Sequence, residues 1–182
     1  MKYAILGSAF NPPHNGHRDV IQQVINDFDK VILVPSLKHP FGKKMADFDY
    51  RLELTTALAE SCNSQNVVVS DVERAIDAKK SSNTPIFTFD VLHELEATLP
   101  KGSMLRFVVG PDNAEIWDTF YKGQEVKNRW GLHICEERVC VRSTLIRSKL
   151  ENEDTLLADE LVPTQVQALL TDWNKIWRGN DG

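Results

Sequence analysis

Short runs of apolar residues alternate with segments of helical periodicity along this chain, and this alternation constrains its fold more than any other feature. Most of these runs are apolar at every position, which is typical of strands buried on both faces of a parallel sheet. We predict strands at Tyr3–Leu6, Val31–Val34, Val67–Val69 and Leu105–Val109, with weaker candidates at Leu132–Cys135 and Val139–Val141. Since helical segments lie between them, we expect an α/β fold, a doubly wound parallel sheet with helices on both faces.

Four segments have the sequence character of helices, and apolar spacings of three and four residues are clearest in the last of them. They are Gly16–Phe28, Tyr50–Ser61, Phe89–Thr98 and a C-terminal helical segment at Pro163–Trp177. The segment Ala78–Pro85 is expected to be a loop inside the fold and not a domain boundary. A length of 182 residues fits one domain better than two, so we predict a single domain over residues 1–182.

Composition limits the classes of partner. The formal net charge of -5 argues against nucleic acid, because proteins that neutralise its phosphates usually carry a basic face. No stretch approaches the roughly 20 apolar residues of a membrane span, and the apolar run at the N-terminus is too short for a signal peptide. Three cysteines at irregular spacing do not suggest a disulfide framework, so a cytoplasmic protein without a membrane partner is expected.

A histidine- and proline-rich string, Gly7–His17, directly follows the first predicted strand. It places His14 and His17 at the start of the first helix, where free N–H groups and the helix dipole favour phosphate. Gly16 between them lets a ligand approach the backbone. A zinc site is disfavoured because no third ligand lies nearby in sequence, and a turn with surface histidines is the simpler alternative. The spacing fits neither a Walker A loop nor a dinucleotide fingerprint.

A second phosphate-directed pattern comes near the end of the α/β region. Ser143 is a good N-cap residue for a helix over Thr144–Leu150, and Arg147 then lies one turn along on the same side. Hydroxyls, helix N–H groups and a guanidinium in one small volume suit triphosphate oxygens. The alternative is an ordinary capped helix with a solvated arginine.

Together these two patterns resemble the motifs of the HxGH nucleotidylyltransferases, and in particular the nicotinate/nicotinamide mononucleotide adenylyltransferase family. The resemblance implies a Rossmann-like fold and an enzyme that binds ATP. It also implies that His14, His17 and Arg147 act on the ATP phosphates. Ala9 and Arg142 depart from the family pattern. By resemblance, the residues on the ATP side are Gly7, Ser8, Phe10, Gly16, Lys43, Gly110, Asp112, Ser143 and Thr144.

Softer matches between the two motifs resemble the family's mononucleotide site. They are Lys38, Arg51, Thr88, Asp90 and Trp117. In this comparison Trp117 would stack on the pyridine ring, as an aromatic face can on a flat ring. The alternatives are a core tryptophan, solvated loop lysines and helix caps at Thr88 or Asp90. Which of the three lysines Lys38, Lys43 and Lys44 contacts phosphate is left open.

The resemblance implies adenylyl transfer from ATP, with Mg²⁺, to nicotinate mononucleotide, giving a dinucleotide and pyrophosphate. Nicotinamide mononucleotide and pantetheine phosphate are alternative acceptors, and a nucleotide-sensing domain is the non-enzyme alternative. The expected partners are ATP and a pyridine mononucleotide, and the sequence leaves a homo-oligomer open. No residue is predicted to be a resident metal ligand.

Overall fold

The computed structural model describes residues 1–81, 83–154 and 157–179. Within these ranges five strands form one sheet in the order β3-β2-β1-β4-β5, and all neighbours pair in parallel. The strands are β1 (Lys2–Ser8), β2 (Lys30–Pro35), β3 (Val67–Val69), β4 (Met104–Val109) and β5 (Leu132–Ile134). The predicted doubly wound, Rossmann-like sheet is confirmed.

Helices and short 3₁₀ turns connect the strands. The helices are α1 (Asn15–Val24), α2 (Phe48–Ser61), α3 (Val72–Lys79), α4 (Thr88–Thr98), α5 (Pro111–Glu115), α6 (Gly123–Arg129), α7 (Ser143–Glu151), α8 (Thr164–Gln167) and α9 (Trp173–Gly179). The 3₁₀ turns are Trp117–Thr119 and Leu170–Asp172. The connection from β4 to β5 therefore carries α5, a 3₁₀ turn and α6.

Two apolar clusters cover the two faces of the sheet, and consecutive residues of β1 alternate between them. Ala4 and Leu6 pack with α1, α2 and α7 to α9, whereas Tyr3 and Ile5 pack with α3, α4 and α6. This is the period of two that an extended strand imposes. A strand buried on both faces is largely apolar, which is why the sequence pattern located the five strands that form.

The structure corrects several predicted boundaries. Val139–Val141 forms no strand, and α1 ends at Val24, four residues before the predicted end. The predicted C-terminal helix is broken into α8, a 3₁₀ turn and α9. The break is held by the Tyr50 hydroxyl, which donates a hydrogen bond of 2.6 Å to the backbone carbonyl of Leu169.

Three helices, α3, α5 and α6, were not predicted. The helix α3 extends through Lys79, two residues into the segment predicted as a loop, and Ser82 of that segment lies outside the described residues. Over the described ranges, no helix combines the length and apolarity needed to cross a bilayer. The assignment of the chain to a single domain stays a prediction.

Candidate active site

The polypeptide between β1 and α1 turns sharply just after the strand ends. Gly7 stays in the extended strand, and the left-handed residue is Phe10, with φ 45° and a fully buried side chain. The following Asn11–Pro12 peptide is cis. Asn11 is buried and its carboxamide accepts a hydrogen bond from the backbone N–H of Ala46 at 3.0 Å. The turn is therefore anchored to the segment that precedes α2.

Both histidines of the motif sit at the N-terminus of α1, with His14 as the N-cap residue. The Nδ1 atom of His14 accepts from the backbone N–H of Gly16 at 3.0 Å, and that of His17 accepts from the backbone N–H of His14 at 3.1 Å. A backbone N–H can only donate, so each neutral ring must carry its proton on Nε2. The Nε2–H of His17 donates to the Ser8 hydroxyl at 3.1 Å.

These imidazoles are neutral hydrogen-bond donors near pH 7. Burial, with the nearby Arg142 guanidinium, lowers the pKa of His14 to about 4. Burial and the neighbouring His14 hold the pKa of His17 well below its usual value. The two rings stack with centroids 3.8 Å apart, which disfavours a charge on either. Neutral rings of this kind can donate hydrogen bonds but supply no positive field.

Gly16 is required by the histidine beside it. A Cβ atom at this position would lie 2.8 Å from Cε1 of His14 and 3.3 Å from the Val139 carbonyl oxygen. The space predicted for a ligand is thus filled by the His14 ring in this structure. A side chain here would displace the imidazole, so the glycine keeps the ring in position.

A polar cavity of about 340 Å³ opens beside the N-terminus of α1. His14, Gly16 and His17 line one wall, and Gly110 and Asp112 at the start of α5 line another. The loop between β5 and α7 contributes further charged residues to the cavity wall. These are Glu136, Glu137, Arg138 and Arg142, with Asp19 of α1 next to them. The structure therefore brings together the predicted ATP residues of the first motif and of the segment after β4.

The second motif packs against the first, but Arg147 does not line the polar cavity. Its guanidinium donates to the backbone carbonyl of Asn11 at 2.7 Å and to the Thr144 hydroxyl at 3.2 Å. Ser143 is the first residue of α7 and not its cap, because its hydroxyl donates to the Pro12 carbonyl at 2.8 Å. These contacts hold the turn that carries His14. The common phosphate site of Arg147 and the histidines stays a prediction.

An aromatic cavity of about 320 Å³ lies on the other side of the end of β1. Its walls include Trp117, Phe107 and Phe120, and Phe87 stacks on Tyr121 with ring centroids 4.4 Å apart. Thr88, at the first position of α4, also lines it. Gly7 and Ser8 line this cavity and not the polar one, and their predicted role on the ATP side stays a prediction.

Trp117 is fixed before any ligand arrives. It is 4% exposed, packs against Phe107 and Phe120, and donates from its indole N–H to the Gly123 carbonyl at 2.9 Å. A Cβ on Gly123 would lie 2.2 Å from the Trp117 carbonyl oxygen, so only glycine fits there. The core and ligand interpretations are thus compatible, because one part of the same side chain reaches the cavity.

Several predicted site residues line neither cavity. They are Phe10, Lys38, Lys43, Arg51, Asp90, Ser143, Thr144 and Arg147. Arg51 is 1% exposed, and its guanidinium donates to the carbonyls of Ala9, Ser36 and Ala46. It thereby joins the loops after β1 and β2, and its predicted contact with the mononucleotide stays a prediction.

The remaining departures have local causes. Lys38 forms an ion pair with Asp77 at 2.6 Å, and Lys43 is exposed. The Asp90 carboxylate accepts from the backbone N–H of Phe87 at 2.9 Å and pairs with Lys80 at 2.7 Å, so it acts as the helix cap that the sequence offered as an alternative. Phe10 supports His17 from the core, with ring centroids 4.8 Å apart.

Sequence reasoning missed three features of the site. Arg142, read as a minor departure, lines the polar cavity and pairs with Glu137 at 2.5 Å. The Phe87–Tyr121 stack has no signature in the sequence, because its members are 34 residues apart. Glu73 lines the aromatic cavity from α3, which was not predicted. The spacing of Val72 and Ile76, one helical turn apart, is the signal that points to that helix.

Comparisons with known proteins agree with this geometry. A family model described as cytidylyltransferase-like matches residues 5–153. A probable nicotinate-nucleotide adenylyltransferase of Aliarcobacter butzleri (strain RM4018) is 31% identical over 162 residues, which cover 87% of this chain and 81% of the relative. One of Caldicellulosiruptor bescii is 29% identical over 175 residues, covering 93% and 81%.

Solved structures give the same picture. A Vibrio parahaemolyticus structure described as a nicotinate-nucleotide adenylyltransferase is 34% identical, with a TM-score of 0.79 over 93% of this chain and 98% of that one. A Plasmodium falciparum nicotinic acid mononucleotide adenylyltransferase, solved with NaAD, has a TM-score of 0.70 over 97% of each chain. At 13% identity the latter shows likeness of fold alone.

Proposed function

Because this chain belongs to the cytidylyltransferase-like family of nucleotidyltransferases, with nicotinate-nucleotide adenylyltransferases among its relatives, we propose that it transfers the adenylyl group of ATP to nicotinate mononucleotide. The products are nicotinate adenine dinucleotide and pyrophosphate. This is a reaction of NAD biosynthesis.

One observation carries the proposal: the two cavities meet at a single hydrogen bond. Ser8 lines the aromatic cavity, His17 lines the polar cavity, and their side chains lie 3.1 Å apart. An ATP in the polar cavity and a mononucleotide in the aromatic cavity would therefore bring their phosphates together at the end of β1. This is also where ligands bind in open α/β sheets.

The chemistry needs positioning more than proton transfer. An oxygen of the mononucleotide phosphate forms a bond to the α-phosphorus of ATP. The bond from that phosphorus to the oxygen bridging to the β-phosphorus breaks, and pyrophosphate leaves with the electron pair. The attacking oxygen is already ionised near neutral pH, so no general base is required. Nε2–H of His14 and the Arg142 guanidinium are placed to donate to the phosphate oxygens.

Mg²⁺ belongs to this proposal as a partner of ATP. Across the residues that the structure describes, no three His, Cys, Asp or Glu side chains are grouped so as to hold a metal ion. Phosphate oxygens and water suit Mg²⁺, which tends to keep several of its own waters. When bound with ATP, Mg²⁺ supplies charge neutralisation at the phosphates. The chain's own residues orient the triphosphate through the N-terminus of α1.

The shape of the aromatic cavity supports a pyridine mononucleotide over the other acceptors. Walls of Trp117 and the Phe87–Tyr121 stack suit a flat ring better than the flexible arm of pantetheine phosphate. A sensor domain would have no use for an acceptor cavity that opens next to the phosphate loop. Both features favour an enzyme with two nucleotide substrates.

The test is a pyrophosphate-release assay with ATP and Mg²⁺ against nicotinate mononucleotide, nicotinamide mononucleotide and pantetheine phosphate, and with CTP in place of ATP. We expect the highest kcat/KM with ATP and nicotinate mononucleotide. Highest turnover with pantetheine phosphate or with CTP would replace the proposed reaction by that one. No pyrophosphate from any pair would leave the sensor alternative.

A further inference from the structure

The aromatic cavity contains one charged side chain. Among the described residues that line it, Glu73 is the only Asp, Glu, Lys, Arg or His. Its other walls are aromatic or aliphatic side chains with a few hydroxyls and backbone groups. Among the described lining residues, a ring bound there would therefore meet one side chain of the Asp, Glu, Lys, Arg and His group, and that side chain is acidic.

A backbone hydrogen bond holds one carboxylate oxygen of Glu73, and the other oxygen is available to a ligand. It is 6% exposed on α3, and Oε2 accepts a hydrogen bond of 2.6 Å from the backbone N–H of Leu37. Within the described residues, Oε1 has no hydrogen-bond partner and Glu73 forms no ion pair. The backbone bond fixes the side chain, so Oε1 is the atom left to interact with a ligand.

The charged groups around Glu73 come from three helices, and each is engaged elsewhere. Arg51 of α2 donates to three backbone carbonyls. Asp77 of α3 pairs with Lys38, and Asp90 of α4 pairs with Lys80. Asp77, Asp90 and Arg51 thus influence the charge of Glu73 through space. None of the three is among its described ion-pair partners.

We propose that Glu73 is the specificity-determining residue for the 3-substituent of the pyridine ring: its acid form donates to a carboxylate, and its ionised form accepts from an amide. The inference rests on the proposed function, since it needs a pyridine mononucleotide in the aromatic cavity. An ionised Glu73 would repel a nicotinate carboxylate, because no Lys, Arg or His is among the described residues that line the cavity. The same ionised oxygen would be a good partner for the N–H of nicotinamide.

Both forms of Glu73 are accessible near neutral pH. Burial is the main cause that raises the pKa of Glu73 to about 7; the Leu37 hydrogen bond and Arg51 act against it, and the charges of Asp90 and Asp77 add to it. Below that value the acid form predominates and favours nicotinate mononucleotide. Above it the carboxylate predominates and shifts the preference towards nicotinamide mononucleotide. The preference between the two acceptors should therefore change with pH.

The experiment measures kcat/KM for both mononucleotides from about pH 6 to about pH 8.5, spanning the pKa of Glu73. The ratio cancels contributions common to both substrates, including the ionisation of their phosphates. We expect the nicotinate-to-nicotinamide ratio to fall by up to about tenfold per pH unit above the pKa. A ratio that does not vary with pH in the wild-type enzyme overturns the inference.

The variant Glu73→Gln tests the same inference by removing the group that titrates. Its carboxamide oxygen can still accept from Leu37, and its NH₂ can donate permanently into the cavity, so the ratio should favour nicotinate at every pH. Unchanged pH dependence in this variant overturns the inference, and thermal unfolding checks its fold. Asp77→Asn is the matched control on the same helix. It should keep the pH-dependent ratio, with the midpoint at slightly lower pH because one repelling charge is gone.

The outcomes separate this inference from the proposed function. If neither mononucleotide is adenylylated at any pH, the proposed function fails. If both are turned over with a constant ratio, the function stands and Glu73 is not the discriminating residue.

Discussion

The two cavities differ in chemistry although they are nearly equal in size. The polar cavity, about 340 Å³, is lined by two histidines, two arginines and several carboxylates, whereas Glu73 is the only Asp, Glu, Lys, Arg or His among the described residues that line the aromatic cavity, about 320 Å³. Hydrogen bonds and charge dominate the first, and contact area and stacking dominate the second. Substitutions in the polar cavity should therefore change kcat and the KM of ATP, and those in the aromatic cavity the KM of the mononucleotide.

The largest expected effect is that of His17→Ala. The change removes the donor to Ser8 at the junction of the cavities and the acceptor that holds the His14 backbone. His14, which His17 holds in place, is the proposed donor to the phosphates. Loss of a donor to developing charge lowers kcat by about a hundredfold to a thousandfold in other enzymes, and we expect a similar loss when His14 is no longer held. Pyrophosphate release at saturating substrates measures it.

His93→Ala is the control for this variant. His93 is an exposed histidine of α4 that lines neither cavity, so its removal should leave turnover unchanged. Turnover close to wild type in a folded His17→Ala protein would contradict the catalytic assignment of the α1 N-terminus.

Two arginine variants sharpen the description of the polar cavity. Arg142→Ala removes a guanidinium that lines the cavity, so the KM of ATP should rise about tenfold to a hundredfold, the equivalent of one charge-assisted hydrogen bond. Arg147→Ala removes the bond to the Asn11 carbonyl and should lower kcat more than it raises that KM. Steady-state kinetics with varied ATP separate the two parameters. The reverse pattern would show that Arg147 contacts ATP and Arg142 does not.

Trp117→Ala tests the aromatic cavity. Stacking on an aromatic side chain contributes about 1–3 kcal/mol per base in nucleic-acid complexes, so we expect the KM of the mononucleotide to rise about tenfold. The KM of ATP should stay within about twofold, because Trp117 does not line the polar cavity.

Trp117→Phe should recover part of the affinity, since it keeps an aromatic face. Thermal unfolding is needed alongside, because Trp117 also packs on Phe107 and Phe120. Equal increases of both KM values in a stable Trp117→Ala protein would contradict the separation of the two cavities.

The smallest expected effect concerns stability and not turnover. The pKa of His14 falls from 6.5 to about 4 on folding. The unfolded chain therefore gains a proton below 6.5 that the folded chain takes up only near 4, and the free energy of unfolding should fall as pH drops through this window. The slope from one group is at most about 1.4 kcal/mol per pH unit.

His14→Asn keeps an N-cap acceptor at this position and removes the titrating group. Urea unfolding of both proteins across the window measures the difference between their slopes. Identical slopes would contradict a neutral, buried His14.

The sequence determined the sheet and the family of this protein. Strands buried on both faces are apolar at every position, so Tyr3–Leu6 and Val31–Val34 were readable without tertiary information. The Gly7–His17 string was enough to locate the phosphate-directed helix N-terminus, because local chain geometry sets the positions of His14 and His17. The family resemblance built on this string is confirmed by the comparisons.

The tertiary structure decided which side chains face a ligand. Arg51 and Arg142 cannot be told apart as charged residues in a sequence. In the structure, however, Arg51 donates to three backbone carbonyls and Arg142 lines the polar cavity. The neutral state of the two histidines and the raised pKa of Glu73 in the aromatic cavity also follow from burial. Burial and hydrogen-bond partners come from residues far apart in the chain, and no local pattern encodes them.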